Sequence, residues 1–215
     1  MRGPEFRRFG HELVDWIADY RTRVAKLPVM SRAEPGEVAA RLPPSPPQQP
    51  ESFDGVLRDL EEVLVPGLSP WQHPDFFGYF PSNGELSSVL GDYLGTGLGV
   101  LGLSWQSSPA LSELEEVVTD WLRQMVGLSA AWKGVIQDTA STSTLVALIC
   151  ARERATRYSL AGKGLQGEER PLVVYASAQA HSSVDKAALL AGFGRDNLRH
   201  LPTDAAYAMR PEVKT

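Results

Sequence analysis

A chain of 215 residues, with 43% hydrophobic and 22% charged residues, is long enough for one sizeable core or two small domains. The formal net charge of −5 and the pI near 5.4, with arginines scattered rather than clustered, exclude the basic stripe of a nucleic-acid binder. No stretch reads as a membrane span, because Val89–Leu103 is interrupted by five glycines and an aspartate, and Met1–Arg8 lacks the apolar block of a secretion signal, so a cytoplasmic protein is expected.

The first predicted element is an amphipathic helix over Phe6–Val24, with Phe9, Leu13, Trp16, Ile17 and Tyr20 at three- and four-residue spacing. The proline-rich run Leu42–Pro50 can be neither helix nor central strand and should run extended over a surface. A second helix starts at Ser52-Phe53-Asp54, places Val56, Leu57, Leu60, Val63 and Leu64 on one face, and stops at Pro66-Gly67. Two helices joined by so long a linker are not expected to close a core between themselves, so this arm should lie on another body, either the rest of the chain or a second subunit. His73–Ser82 then packs four aromatics between two prolines, a composition suited to a binding wall.

Leu86–Leu94 reads as helical. Ser108-Pro109 caps a strong helix over Ala110–Met125, whose apolar face holds Leu111, Leu114, Val117, Val118, Leu122 and Met125 and which Gly127 terminates. Beyond Gly134 the texture turns to alternating strand and helix. Val135-Ile136 is predicted as a short strand, Asp138–Thr142 as a polar turn, and Ser143–Arg157 as a helix. Gly162–Arg170 is predicted as a loop, Leu172–Ala176 as a strand, Ser182–Ala191 as a helix and Asn197–Leu201 as a third strand. Such alternation implies a mostly parallel sheet covered by helices. Cys150, the only cysteine, lies among Leu145, Val146, Leu148 and Ile149 and should be a buried, inert thiol. The division expected from these patterns is an arm with its aromatic loop over residues 1–85 and an α/β body over 86–215.

Several motifs can be set aside. Gly97-Leu-Gly-Val-Leu-Gly102 matches a dinucleotide fingerprint in letters, but no β-branched run precedes it, so it reads as a glycine-rich connection between helices. The four histidines, His11, His73, His181 and His200, have no metal-ligand spacing, and no metal site is expected. Two features keep chemical meaning. The turn Thr139–Thr144 opens a helix with several hydroxyls and free backbone amides, a geometry that binds phosphate through the helix dipole. His181 follows a strand and precedes a helix, the position at which open α/β sheets bind ligands.

Taken together, His73-Pro-Asp-Phe-Phe-Gly-Tyr-Phe-Pro-Ser82, Ser104-Trp-Gln-Ser-Ser-Pro-Ala110 with Glu113-Leu-Glu115, Gly134-Val-Ile-Gln-Asp-Thr-Ala-Ser141 and Ala180-His-Ser-Ser-Val-Asp-Lys-Ala187 resemble the group II pyridoxal-phosphate decarboxylases, above all the aromatic-L-amino-acid decarboxylases. The resemblance spans nearly the whole chain. It implies the aspartate-aminotransferase-like large domain (fold type I), incomplete here, preceded by a helical arm that forms a homodimer. It also implies pyridoxal 5′-phosphate as cofactor, with Thr139, Ala140 and Ser141 holding the phosphate and His181 stacking on the pyridine ring and acting in catalysis. Tyr79, Phe80, Pro81 and Ser82 would line the substrate pocket, and Leu101 and Leu103 would reach the neighbouring subunit's pocket. The implied reaction is loss of the α-carboxylate of an aromatic L-amino acid as CO2.

Two departures accompany the resemblance. Leu103 stands where the family is expected to have an aromatic. The lysine that forms the Schiff base, in an Asn-Pro-His-Lys-Trp-like motif, and the aspartate that pairs with the pyridine nitrogen are absent from these residues, since neither Lys186 nor Lys214 fits. The chain is thus expected to correspond to the first part of a longer enzyme. The alternatives are a catalytically incomplete fragment serving in dimerisation, a related decarboxylase acting on histidine or an acidic amino acid, and an unrelated phosphate-binding module.

Overall fold

The computed structural model describes residues 1–80, 84–165, 170–210 and 212. Two compact units emerge, Met1–Val100 and Leu101–Thr215. They part after Val100, whereas the sequence pattern divides the chain at 85/86, because helix 86–98 groups with the arm: Tyr93 stacks on Phe6 at 6.1 Å between ring centroids.

The first unit opens with α1 (Gly3–Arg23), in which Pro4 occupies the first turn and Arg21 and Arg23 the last, each suited to its end of the helix. A 3-10 turn (Val24–Lys26) continues it. After the short α2 (Glu37–Ala40), α3 (Phe53–Asp59) starts at Ser52, whose side chain accepts the N–H of Asp54. It widens into a π turn (Leu60–Leu64) and tightens into a 3-10 turn (Val65–Gly67). Contrary to the sequence expectation, α1 and the α3 region do close a small contact with each other. Phe9 meets Phe53 at 4.9 Å, and Phe9, Val24 and Val63 are buried. Farther along, Trp16 Nε1 donates to Glu61 Oε2 at 2.9 Å, and Arg23 donates to both Glu61 oxygens at 2.5 and 2.6 Å. The linker runs outside this contact and therefore does not prevent it. Helix α4 (Leu86–Leu98) follows and ends at Gly99 in the left-handed region, so the glycine-rich run closes a helix.

The second unit holds α5 (Pro109–Met125), α6 (Ala140–Ala155), the short α7 (Leu160–Lys163), β1 (Val174–Ser177), α8 (Ser183–Leu190) and β2 (Leu198–Leu201). Ser108 caps α5 by accepting the N–H of Leu111, and Gly127, at φ +73°, takes the left-handed position after it, as the sequence indicates. The apolar face of α5 is not its buried face, however. Leu114, Leu122 and Met125 are exposed, and the buried residue is Thr119. A Cβ on Gly134 would come within 2.8 Å of the Thr119 Cβ, so glycine is required for that close approach.

β1 and β2 pair in parallel, with Val174 opposite Leu198 and Ser177 opposite Leu201, and α8 provides the crossover. The expected strand at Val135-Ile136 does not form. Both residues are exposed, and the Ile136 N–H donates to Glu115 Oε1 at 2.7 Å instead of to a neighbouring strand. Cys150, expected to be buried, is exposed, because α6 turns Leu145, Leu148 and Ile149 rather than residue 150 toward the core. That core gathers Ala188, Ala191 and Phe193 with Leu145, Leu148, Ile149, Leu172, Val174 and Leu198. The end of α8 is closed by two backbone bonds, Phe193 N–H to Ala188 O and Gly192 N–H to Leu189 O, both 3.0 Å. Gly192 is at φ +84°, so the arrangement is a Schellman stop whose hydrophobic contact is Phe193 itself.

Candidate cofactor site

At the start of α6, Thr139 adopts extended backbone and its Oγ1 accepts the Thr142 N–H at 3.2 Å while lying 3.1 Å from Thr142 Oγ1. Thr139 Oγ1 thus caps the helix as an acceptor while its hydroxyl proton can still be donated. The next two amides, those of Ala140 and Ser141, have no acceptor within the helix, since none exists for the first turn. Thr139, Ala140 and Ser141 are all exposed. These are the elements of an anion site: free N–H groups at the positive end of a 16-residue helix.

His181 lies in the connection from β1 to α8. Its Nδ1 accepts the N–H of buried Ser183 at 3.2 Å and sits 3.0 Å from Ser183 Oγ. An amide N–H can only donate, so Nδ1 presents its lone pair and the ring proton resides on Nε2. Among the described residues Nε2 has no partner, and the side chain is exposed. The ring is thus fixed at one nitrogen with a face open to a ligand.

Both features belong to the second unit. Helices α6 and α8 pack through the core residues named above, and Arg152 Nη1, near the end of α6, donates to the carbonyl of Ala191, just after α8, at 2.6 Å. The carboxyl ends of the two helices meet at this bond, Ala140-Ser141 stands at the amino end of α6, and His181 stands just before α8.

The remaining candidates are distributed differently. Tyr79 and Phe80 belong to the first unit and are 72% and 96% exposed. Tyr79 stacks on Trp71 at 5.3 Å, as does Phe76 at 5.7 Å, and the loop is pinned by buried His73, whose Nδ1 accepts the Asp75 N–H at 3.0 Å. Pro81 and Ser82 lie outside the described residues, as does Lys214. Leu101 and Leu103 precede α5 in the second unit and are exposed. Among the described residues no group of acidic, histidine or cysteine side chains is placed to hold a metal ion, and no helix is long and apolar enough to cross a membrane.

Sequence reasoning missed Ser183 as the partner of His181 and Trp71 as the platform of the aromatic loop. Ser183 lies inside the His181 motif and Trp71 two residues before the aromatic one. What was lacking was the backbone geometry that turns neighbours into partners.

Residues 35–214 match the profile of the pyridoxal-dependent decarboxylase conserved domain. The chain belongs to that family. It is 42% identical over 220 residues to phenylacetaldehyde synthase of Arabidopsis thaliana, covering 99% of this chain and 44% of that protein. It is 41% identical to aromatic-L-amino-acid decarboxylase of Bos taurus, covering 98% and 45%. In structure it is similar to Oryza sativa TDC, solved with PLP and tryptamine, with a TM-score of 0.87 and 35% identity over 98% of this chain and 47% of the other. The chain spans about half the length of the curated relatives it matches. The fold of the family's PLP-dependent members, a helical arm followed by part of an α/β domain, is the fold seen here.

Proposed function

We propose that this chain supplies the arm and the first part of the cofactor site of a pyridoxal-phosphate-dependent enzyme that decarboxylates aromatic L-amino acids to the amine and CO2. The observation that carries the reading is that the second unit holds both the free amides at the start of α6 and the tethered ring of His181. A phosphate and a planar heteroaromatic ring are the two groups such a pair suits.

The residues divide the work by their chemistry. The amides of Ala140 and Ser141 and the hydroxyl of Thr139 would hold the phosphate, with Thr139 Oγ1 also capping the turn. His181 would lie against the pyridine ring, with its Nδ1 held by Ser183. Bound there, the cofactor supplies an electron sink for the pair released as CO2 departs. Tyr79 and Phe80, with Pro81 and Ser82, would wall the aromatic side chain of the substrate. Leu101 and Leu103 would reach the site of a second subunit in a homodimer formed by the arm, in the cytoplasm. Relatives named as tryptophan and tyrosine decarboxylases support an aromatic substrate class. The similarity to phenylacetaldehyde synthase supports a second reading, in which an enzyme of the same substrate class releases an aldehyde.

The decisive experiment compares pyridoxal phosphate, pyridoxal and inorganic phosphate in equilibrium dialysis against the chain. Pyridoxal phosphate is expected to bind at least about tenfold more tightly than pyridoxal, the contribution of charge-assisted bonds to its phosphate. Equal binding of the two would overturn the assignment of Ala140 and Ser141, and preference for inorganic phosphate would favour a simple phosphate module. In the complete enzyme, His181→Ala should reduce turnover far more than cofactor affinity, and product analysis with tryptophan, tyrosine, glutamate and histidine identifies the substrate class and separates amine from aldehyde.

A further inference from the structure

The segment that presents His181 is held at both of its ends by one imidazole from the next strand. His200 lies on β2, in register with Ala176 of β1. Its Nδ1 is 3.4 Å from the carbonyl oxygen of Ser177, the last residue of β1, and its Nε2 is 3.1 Å from Asp185 Oδ1, in the first turn of α8. Ser177 and Asp185 bracket the connector, and His181 is at its centre. A carbonyl and a carboxylate both accept, so the ring satisfies both only when both nitrogens carry protons.

The rest of the connector is tied to the same two points. The Ser177 carbonyl also accepts the Ala180 N–H at 2.9 Å, and Ser177 Oγ accepts the Gln179 N–H at 3.1 Å. On the far side the Val184 N–H donates to the His181 carbonyl at 3.0 Å. Arg195, from the 3-10 turn before β2, lines the same cavity as Asp185 and His200, and Asp185 is the carboxylate within hydrogen-bond reach of the ring. We infer that His200 is a positioning residue for His181: by bridging Ser177 and Asp185 it fixes the length and pitch of the connector, and so the distance at which Ser183 meets Nδ1. This rests on the reading of His181 as the cofactor-stacking ring, but the clamp is a property of the chain alone.

The test is nuclear magnetic resonance of the chain with its histidine rings labelled with nitrogen-15. In the unaltered chain His181 should show a bare Nδ1 and a protonated Nε2. His200→Phe keeps a flat ring at a half-exposed strand position and removes both donors. It should move the His181 ring toward a mixture of tautomers and speed amide exchange at Ser183 and Val184 by about tenfold, the scale of one lost charge-assisted bond. A residue that merely stabilised the sheet would leave the His181 ring signals where they were, and that result overturns the inference. Should His200→Phe fail to fold, Asp185→Asn keeps the strand intact and weakens one end of the clamp; it is expected to shift the His181 signals in the same direction, and unchanged signals overturn the inference equally. Failure of the His181 reading itself is seen separately, in the turnover of His181→Ala, which leaves His200 untouched.

Discussion

Two helix pairs, one in each unit, are built on different physics. In the first unit α1 meets the α3 region through large aromatic rings and a carboxylate: Phe9 against Phe53, and Glu61 receiving Arg23 twice and Trp16 once. In the second, α6 meets α8 through small side chains, Ala188 and Ala191, with Phe193 as the plug. Small residues let helices approach closely and leave nothing to titrate. The aromatic and ionic pair makes the association of its helices depend on charge. The lesson is that one chain can make one helix pair sensitive to volume and another sensitive to pH and salt.

The largest effect is expected from breaking the apolar pair. Phe193 is 8% exposed and serves both the core and the stop of α8. Phe193→Ala should destabilise the second unit by about 3 kcal/mol, the low end for such truncations because the core is small, measured by urea unfolding followed at the second unit's amides. A loss below about 1 kcal/mol would mean that the site collapses around the gap and that packing there is loose.

A smaller effect follows at the ionic pair. Hydrogen bonds from Arg23, and then from Trp16, hold the Glu61 carboxyl below the usual carboxylate range, against a desolvation that would raise it. A depressed folded-state value gives stability that is fully present above the unfolded value of about 4.3 and is lost as pH falls through the folded value. Because the Arg23 and Glu61 side chains are 36% and 39% exposed, solvent screening limits the contribution to about 1 kcal/mol or less. Glu61→Gln should cost the arm that amount at neutral pH and lessen its acid sensitivity below pH ~4, leaving the part that comes from Asp54, which bonds from Ser52 and Arg8 hold below the usual range, with the α6–α8 pair unaffected.

The smallest effect sharpens the contrast. Raising sodium chloride to about 1 M shortens the screening length to about 3 Å. It should loosen the arm slightly, as read from amide exchange in α1, while exchange in α6 stays constant or slows as salt strengthens apolar burial. An equal response in both pairs would erase the distinction.

What the sequence disclosed follows the same division between local and distant causes. The ends of α5 could be read from Ser108, Pro109 and Gly127, and the opening of α6 from Thr139, because caps are made by residues adjacent in the chain. The burial of α5 could not: its apolar stripe predicts a buried face, yet the described residues bury Thr119 instead. Val135-Ile136 has strand composition without a strand, since a strand exists only when another chain segment pairs with it. At the candidate site, His181 and Ala140-Ser141 could be picked out by their place between elements. The tether at Ser183 needed the bend of the connector, and the bridge from His200 to Asp185 needed the register of β1 on β2, which no spacing along the chain encodes.

The bond from Ile136 to Glu115 has a consequence for solubility. An extended run with apolar side chains and a bare amide is the kind of edge on which a foreign strand can nucleate aggregation. Glu115 seats a carboxylate on that amide at 2.7 Å, so an incoming carbonyl must displace an anionic acceptor before the first rung of a new ladder can form. Glu115 exerts this protection from α5, on an exposed apolar run that forms no strand of its own.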